Sequence, residues 1–150
     1  MRRAGFTIAE VLIVLIIMAL ITAMALPKLS TSAQKTNVRS SRVELSTMVA
    51  KARAAAVQRG CVDTLHVTTG ASATAWITVC KPSVSGTALD TVGGIDLVGK
   101  RMGVSLSTSI TNYIFDPRGL LVGGSGGTIV ITGSGFTDSV VINAIGKVTH

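Results

Sequence analysis

Between Phe6 and Leu26 the chain runs for 21 residues with a single ionisable side chain, Glu10. A helix rises about 1.5 Å per residue, so this run spans about 30 Å, the thickness of a bilayer's hydrocarbon core. It reads as a membrane segment or a signal sequence. Arg2 and Arg3 precede it, and the positive-inside rule then keeps the N-terminus cytoplasmic and sends everything after Lys28 across the membrane. An acid at the centre of a membrane helix costs about 2.5–3.5 kcal/mol, less near the interface, so Glu10 needs a partner.

Two ordinary explanations of the run leave something over. Ala23-Met24-Ala25 is an A-x-A pattern of the kind that ends secretory signals. Apolar regions of such signals usually span about 7–15 residues, however, and this one is longer and carries an acid near its start. A generic single-pass anchor accounts for the length and leaves Glu10 unexplained. Composition agrees that the apolar excess is local: 47% of the 150 residues are hydrophobic and 14% charged, high for a soluble domain, and the chain has room for one domain and one accessory element.

The stretch Gly5-Phe6-Thr7-Ile8-Ala9-Glu10, with the apolar run behind it and Pro27 closing it, resembles the class III signal of type IV pilins and type II secretion pseudopilins. The resemblance implies a leader of residues 1–5, cut by a prepilin peptidase between Gly5 and Phe6, and N-methylation of the new terminal Phe6. It implies a transmembrane and assembly helix over 6–26 and a periplasmic pilin-like domain over 27–150, with the protein in the inner membrane before filament assembly. Other pilins, the prepilin peptidase, the inner-membrane assembly platform and the lipid bilayer are the implied partners. Cleavage would leave an ammonium on Phe6 beside the hydrocarbon, and Glu10 of one subunit would neutralise the Phe6 amine of its neighbour. An intramolecular contact or a protonated Glu10 are the alternatives.

No glycine or proline interrupts Leu29–Arg59, where Leu45, Met48, Val49, Ala52, Ala55 and Ala56 recur at helical spacing. The helix is expected to continue to about Arg59, with Gly60 as its stop. Counted from Phe6 it would be about 80 Å long, bent or loosened at Pro27. A small domain cannot bury such a helix, so its first half needs lipid or copies of itself. Lys28, Lys35, Arg39, Arg42 and Arg53 fall within about 60° of one another around this helix, either as a solvated face or as a track for a polyanion such as DNA. No aromatic residue is interleaved with the stripe, as nucleic-acid stacking would favour.

After Gly60 the period becomes alternating. Val62–Thr68 and Thr74–Cys80 read as a hairpin closed by Thr69–Ala73. If Leu65 faces Trp76, Cys61 lies opposite Cys80 at about 4.5–5.5 Å, within reach of a disulfide, as an oxidising compartment favours. Two free buried thiols are the other reading. One cysteine pair supplies no tetrahedral metal site, and neither metal nor cofactor is expected.

Lys81–Gly99, rich in glycine, serine and threonine, reads as a loop. Gly103–Ser107, Asn112–Phe115, Leu120–Val122, Thr128–Thr132, Val140–Ala144 and Lys147–Thr149 read as further short strands. A helix followed by strands is α+β, an antiparallel sheet packed on the helix. Tyr113-Ile114-Phe115-Asp116-Pro117-Arg118-Gly119, Gly127–Ile131 and Val140–Val148 are similar to the closing strands of the GspH/FimT minor pseudopilins, and Met48–Gly60 resembles that family's helix end. The resemblance implies the pilin-like fold and a minor subunit of a type IV pilus or type II secretion pseudopilus. Some FimT-like members bind DNA through a C-terminal Gly-Arg-x-Arg, for which this chain has Gly146-Lys147-Val148-Thr149. Lys35, Arg39, Arg42 and Lys147 are the candidate DNA or anion contacts. An enzyme is not expected: His66 and His150 are the only histidines and have no carboxylate or serine at a telling spacing. Gly123–Gly127 lacks the Gly-Lys-Ser/Thr of a phosphate loop.

Overall fold

In the computed structural model the described residues are 7–70, 73–80, 89–95 and 102–149. The chain divides into two compact units, Met1–Ala33 and Gln34–His150, and a 52-residue helix, α1 (Ile8–Arg59), begins in the first and ends in the second.

In the first unit every residue from Thr7 to Ala33 is exposed. Pro27 lies inside the helix, although its ring withholds the N–H that would bond the preceding turn. Hydroxyls here turn back onto the helix: Thr22 donates to the Met18 carbonyl at 2.7 Å, and Ser30 and Thr31 both donate to that of Pro27 at 2.9 Å. That arrangement suits apolar surroundings, where an unpaired hydroxyl is costly.

In the second unit α1 buries Val38, Leu45, Met48, Val49, Ala52 and Ala56, one stripe at helical spacing. The helix ends at Gly60, whose φ of 68° is natural only for glycine. The Ala56 carbonyl accepts from the N–H groups of Gly60 and Cys61 at 3.0 and 3.3 Å, closing the end.

Among the described residues eight strands follow, β1 (Asp63–Val67), β2 (Ala75–Cys80), β3 (Leu89–Ile95), β4 (Ser105–Thr108), β5 (Asn112–Phe115), β6 (Gly127–Gly133), β7 (Phe136–Ile142) and β8 (Val148–Thr149). They form two four-stranded sheets, β3-β2-β1-β5 and β4-β6-β7-β8, with every pair antiparallel. Inward residues of both sheets, among them Leu65, Ile77, Phe115, Ile129 and Val140, join the helix stripe in one core. The α+β expectation holds, with two sheets where one was expected.

Other details differ from the sequence reading. The first hairpin is offset by one residue: Leu65 faces Ile77 and His66 faces Trp76. Opposed residues share a face of the sheet, so the apolar set of Leu65, Ile77 and Val79 must point inward together, and Trp76 is left on the outer face. Two further steps of this register, past Thr64 and Thr78, set Val62, not Cys61, across from Cys80. The expected loop Lys81–Gly99 contains β3, which adds to the edge of β2; its glycines masked the alternation. Leu120–Val122 forms no strand, only a bridge from Leu121 to Phe115. Asp116 holds this turn, its Oδ1 accepting from the N–H groups of Arg118 and Leu120, both at 2.9 Å. Finally, β7 begins at Phe136, earlier than Val140, because Ser134 and Gly135 at φ 45° and 86° make a tight turn directly after β6.

Candidate assembly surface

The first half of α1 is the feature that no soluble molecule leaves as it stands. It contains an 18-residue stretch of mean hydropathy 2.7 with none of it buried. Ile8 is 82% exposed and Met24 75%, with Val11–Met18 apolar without interruption. Contiguous apolar surface of this extent marks a membrane or protein interface.

Glu10 lies in the first turn of α1. Its N–H donates to Thr7, at 3.1 Å to the carbonyl and 3.3 Å to Oγ1, so Thr7 caps the helix. The Thr7-x-x-Glu10 spacing is that of a capping box, a signal present in the sequence and missed there. Among the described residues no group pairs with the Glu10 carboxylate. Gly5 and Phe6, the expected cleavage and methylation residues, lie outside the described residues.

At the far end of α1, Cys61 and Cys80 are joined, with Cα atoms 6.3 Å apart. Arg59 donates to the Cys80 carbonyl at 3.0 Å, and the buried Asp63 accepts from the Cys80 N–H at 3.1 Å. Helix end, β1 and the last residue of β2 are thereby tied together. Among the described residues Asp63 Oδ2 has no hydrogen-bond partner. Burial holds the Asp63 carboxyl above the usual carboxylate range, against the opposing pull of the Cys80 N–H and the Arg59 charge. Cys61, Asp63 and Cys80 place ligand atoms within 4.8 Å of one another, but the bond between the sulfurs removes both thiolates and leaves a single carboxylate, too few donors for a metal. The acid between the cysteines gave no signal in the sequence, since its burial depends on β2.

The candidate anion-binding residues do not converge. Lys35 and Arg39 are exposed on α1. Arg42 Nε lies 3.4 Å from Asp138 Oδ2 on β7, an ion pair without a directed hydrogen bond, which neutralises one member of the stripe. Arg39 lines a groove with Glu44 and Met102, whereas Lys147 lines a different one of about 590 Å³ with Arg53, Val57 and Val148. Gly146, ahead of Lys147, has φ 73°, and a Cβ there would come within 2.9 Å of Phe115. Packing by itself therefore accounts for the glycine of the Gly146–Thr149 segment.

Comparison with known proteins agrees with this architecture. The family described as type II transport protein GspH matches residues 43–146, and the prokaryotic N-terminal methylation motif matches residues 1–26. No curated protein matches the chain. Two crystal structures of the type IV minor pilin FimU from Pseudomonas aeruginosa are similar in fold. One, in space group P21, has a TM-score of 0.59 at 16% identity, covering 76% of this chain and 87% of its own. The other, in space group P65, has a TM-score of 0.57 at 20% identity, covering 74% and 90%. With its long helix on antiparallel sheets, a family match over residues 43–146 and the methylation motif ahead of it, the chain belongs to the GspH family of type II transport proteins.

Proposed function

We propose that the chain is a minor pilin or pseudopilin, taken up through the first half of α1 into a type IV pilus or a type II secretion pseudopilus. Family and apolar helix together make it a pilin anchored in the inner membrane. The observation that carries the finer reading is the apolar run of α1 from Ile8 to Leu26, exposed throughout, which lipid covers before assembly and other subunits cover after it. In this reading residues 1–5 are a cytoplasmic leader, a prepilin peptidase cuts between Gly5 and Phe6, Phe6 is N-methylated, and residues 27–150 are periplasmic. Support comes from the methylation motif, which spans the junction and the acid. The Phe6 ammonium of a neighbouring subunit then meets Glu10, and two charges that would each be costly in an apolar bundle neutralise one another.

The test is Glu10→Leu. The variant should enter the membrane at least as well as wild type, since an acid has left an apolar helix, and should be cut normally because the leader and junction are untouched. It should be lost from sheared filaments relative to the membrane pool, and Glu10→Asp, one methylene shorter, should assemble poorly. Incorporation of the leucine variant at wild-type level refutes the pairing. Intact-mass analysis of the membrane-extracted protein should show a chain beginning at N-methylated Phe6; one beginning at Leu26 would instead establish a secretory signal.

A further inference from the structure

Asp63 is the only buried carboxylate among the described residues, and it stands beside both cysteines. Cys61 Sγ lies 4.0 Å from its Oδ1, which also accepts from the Cys80 N–H. Its other oxygen, Oδ2, meets no hydrogen-bonding group among those residues, and a buried charged group left short of partners costs free energy. An asparagine would accept the same Cys80 N–H without that charge, and the disulfide already ties the helix end to β2. The acid therefore burdens the chain in its disulfide form. In the dithiol form the same oxygen is a metal ligand.

The geometry suits one ion. Ligand atoms of Cys61, Asp63 and Cys80 lie within 4.8 Å of one another. Zinc holds sulfur at about 2.3 Å and a carboxylate oxygen at about 2.0–2.2 Å, so the ligand atoms of a tetrahedral site are about 3.6–3.8 Å apart. Across a Cα separation of 6.3 Å the freed sulfurs reach that spacing by side-chain rotation. Two thiolates and a carboxylate around a divalent ion leave one negative charge. Arg59, which donates to the Cys80 carbonyl at 3.0 Å and whose charge acts on Asp63, balances it. Thiolates exclude calcium and magnesium, which take oxygen ligands, and a third, oxygen donor favours zinc over a cuprous ion, a softer acceptor of sulfur.

We propose that the dithiol form of the chain binds one zinc ion through Cys61, Asp63 and Cys80, with water in the fourth position, so that metal and disulfide are alternative clamps on the same three segments. A small dithiol opens the disulfide by exchange: two electrons pass to the cysteine pair, both sulfurs take protons, and the reductant leaves as its own disulfide. Zinc then displaces one proton from each thiol and meets Asp63 as the carboxylate. A chain that has crossed the membrane and is not yet oxidised is held at the helix end by the ion; oxidation of the sulfurs releases it.

The full-length chain in nonionic micelles is reduced with dithiothreitol, freed of reductant without oxygen and titrated with Co2+ alone, then with Zn2+. The reduced chain should develop the sulfur-to-cobalt charge-transfer band of thiolate ligation, saturating at one cobalt per chain and bleached by zinc, while the oxidised chain shows none. Zinc should raise the thermal midpoint of the reduced chain and leave that of the oxidised chain unchanged. If reduction by itself costs the second unit its circular dichroism, zinc should restore it. Asp63→Asn, reduced and shown to be folded, should bind zinc at least about tenfold more weakly, since even the outer-shell partners of a metal site are worth that much. Four results would overturn the proposal. They are a reduced chain that gives no charge-transfer band, an oxidised chain that gives the same band, a reduced and unfolded chain that zinc does not refold, and folded Asp63→Asn that binds zinc as wild type does.

Discussion

From Ile8 to Leu29 α1 leaves every apolar side chain in the open, while from Val38 to Ala56 the same helix buries an apolar stripe at almost zero exposure. Both stretches are helical and neither is broken by glycine. They differ in who supplies the cover. The second half carries apolar residues on one side and polar ones on the other, and the sheets of its own chain fill the stripe. The first half is apolar all round, which no single sheet can cover, so its burial must come from lipid or from other subunits. One helix thus divides its stability between folding, settled within the chain, and assembly, settled outside it.

The largest effect should come from the same insult on each side of that divide. Leu45→Asp places an unpaired charge at a fully buried position and should abolish folding of the second unit, since such burial costs several kcal/mol against a total of about 5–15. Leu15→Asp should leave the thermal transition of that unit in place and reduce retention in the membrane fraction. Circular dichroism and fractionation read the two. Unfolding of the second unit by Leu15→Asp would break the comparison.

Next in size is the disulfide. Cys61 and Cys80 are 19 residues apart in sequence, and a loop of that order is worth about 3 kcal/mol in the chain-entropy model. The double variant Cys61→Ser, Cys80→Ser should lower the urea midpoint accordingly with membrane insertion unaffected, and peptide mapping without reductant should recover the two cysteines of the wild type linked.

Two carboxylates of the second unit should move stability in opposite directions with pH. Burial raises Asp63 above 3.8, so the folded state binds its proton more tightly than the unfolded chain. Its ionisation cost is absent below 3.8, appears as pH rises toward the raised value and is fully present above it. Asp116 is lowered below 3.8, first by its bond from the Leu120 N–H. Its contribution is present above 3.8 and is lost as pH falls through the lowered value. Asp63→Asn should therefore gain on wild type as pH rises above 3.8, and Asp116→Asn should lose, measured by urea unfolding between acid and neutral pH. Parallel curves for Asp63→Asn and wild type would show that burial sets no proton cost there.

The smallest effect belongs to Arg42. Its partly exposed pair with Asp138 should be worth about 0.2–1 kcal/mol, and the coupling of Arg42→Ala with Asp138→Ala in a double-mutant cycle measures it. A coupling indistinguishable from zero would return Arg42 to the free cations of the α1 surface.

Periodicity and length were legible in the sequence because they are local. The uninterrupted helical pattern to Arg59, Gly60 as its stop, the membrane-length run with Glu10 near its start and the α+β order all follow from side-chain spacing along one segment. What depended on partners distant in the chain was not legible. The hairpin register came out one residue away because only the common core tells whether Leu65 must meet Ile77 or Trp76. β3 was hidden in a glycine-rich stretch because an edge strand is held by the backbone of β2, which needs no side-chain pattern. Asp63 became a buried acid only when β2 closed over it, and Arg42 left the basic stripe only when β7 brought Asp138 beside it. By itself the sequence determined the long helix, its stop, the strands with a clear alternation, and the need for outside cover on the first half of α1. Tertiary structure alone decided register, the pairing of charges and which face of each strand meets solvent, since those are set by contacts between segments far apart in the chain, where many pairings suit the local pattern and one suits the shared core.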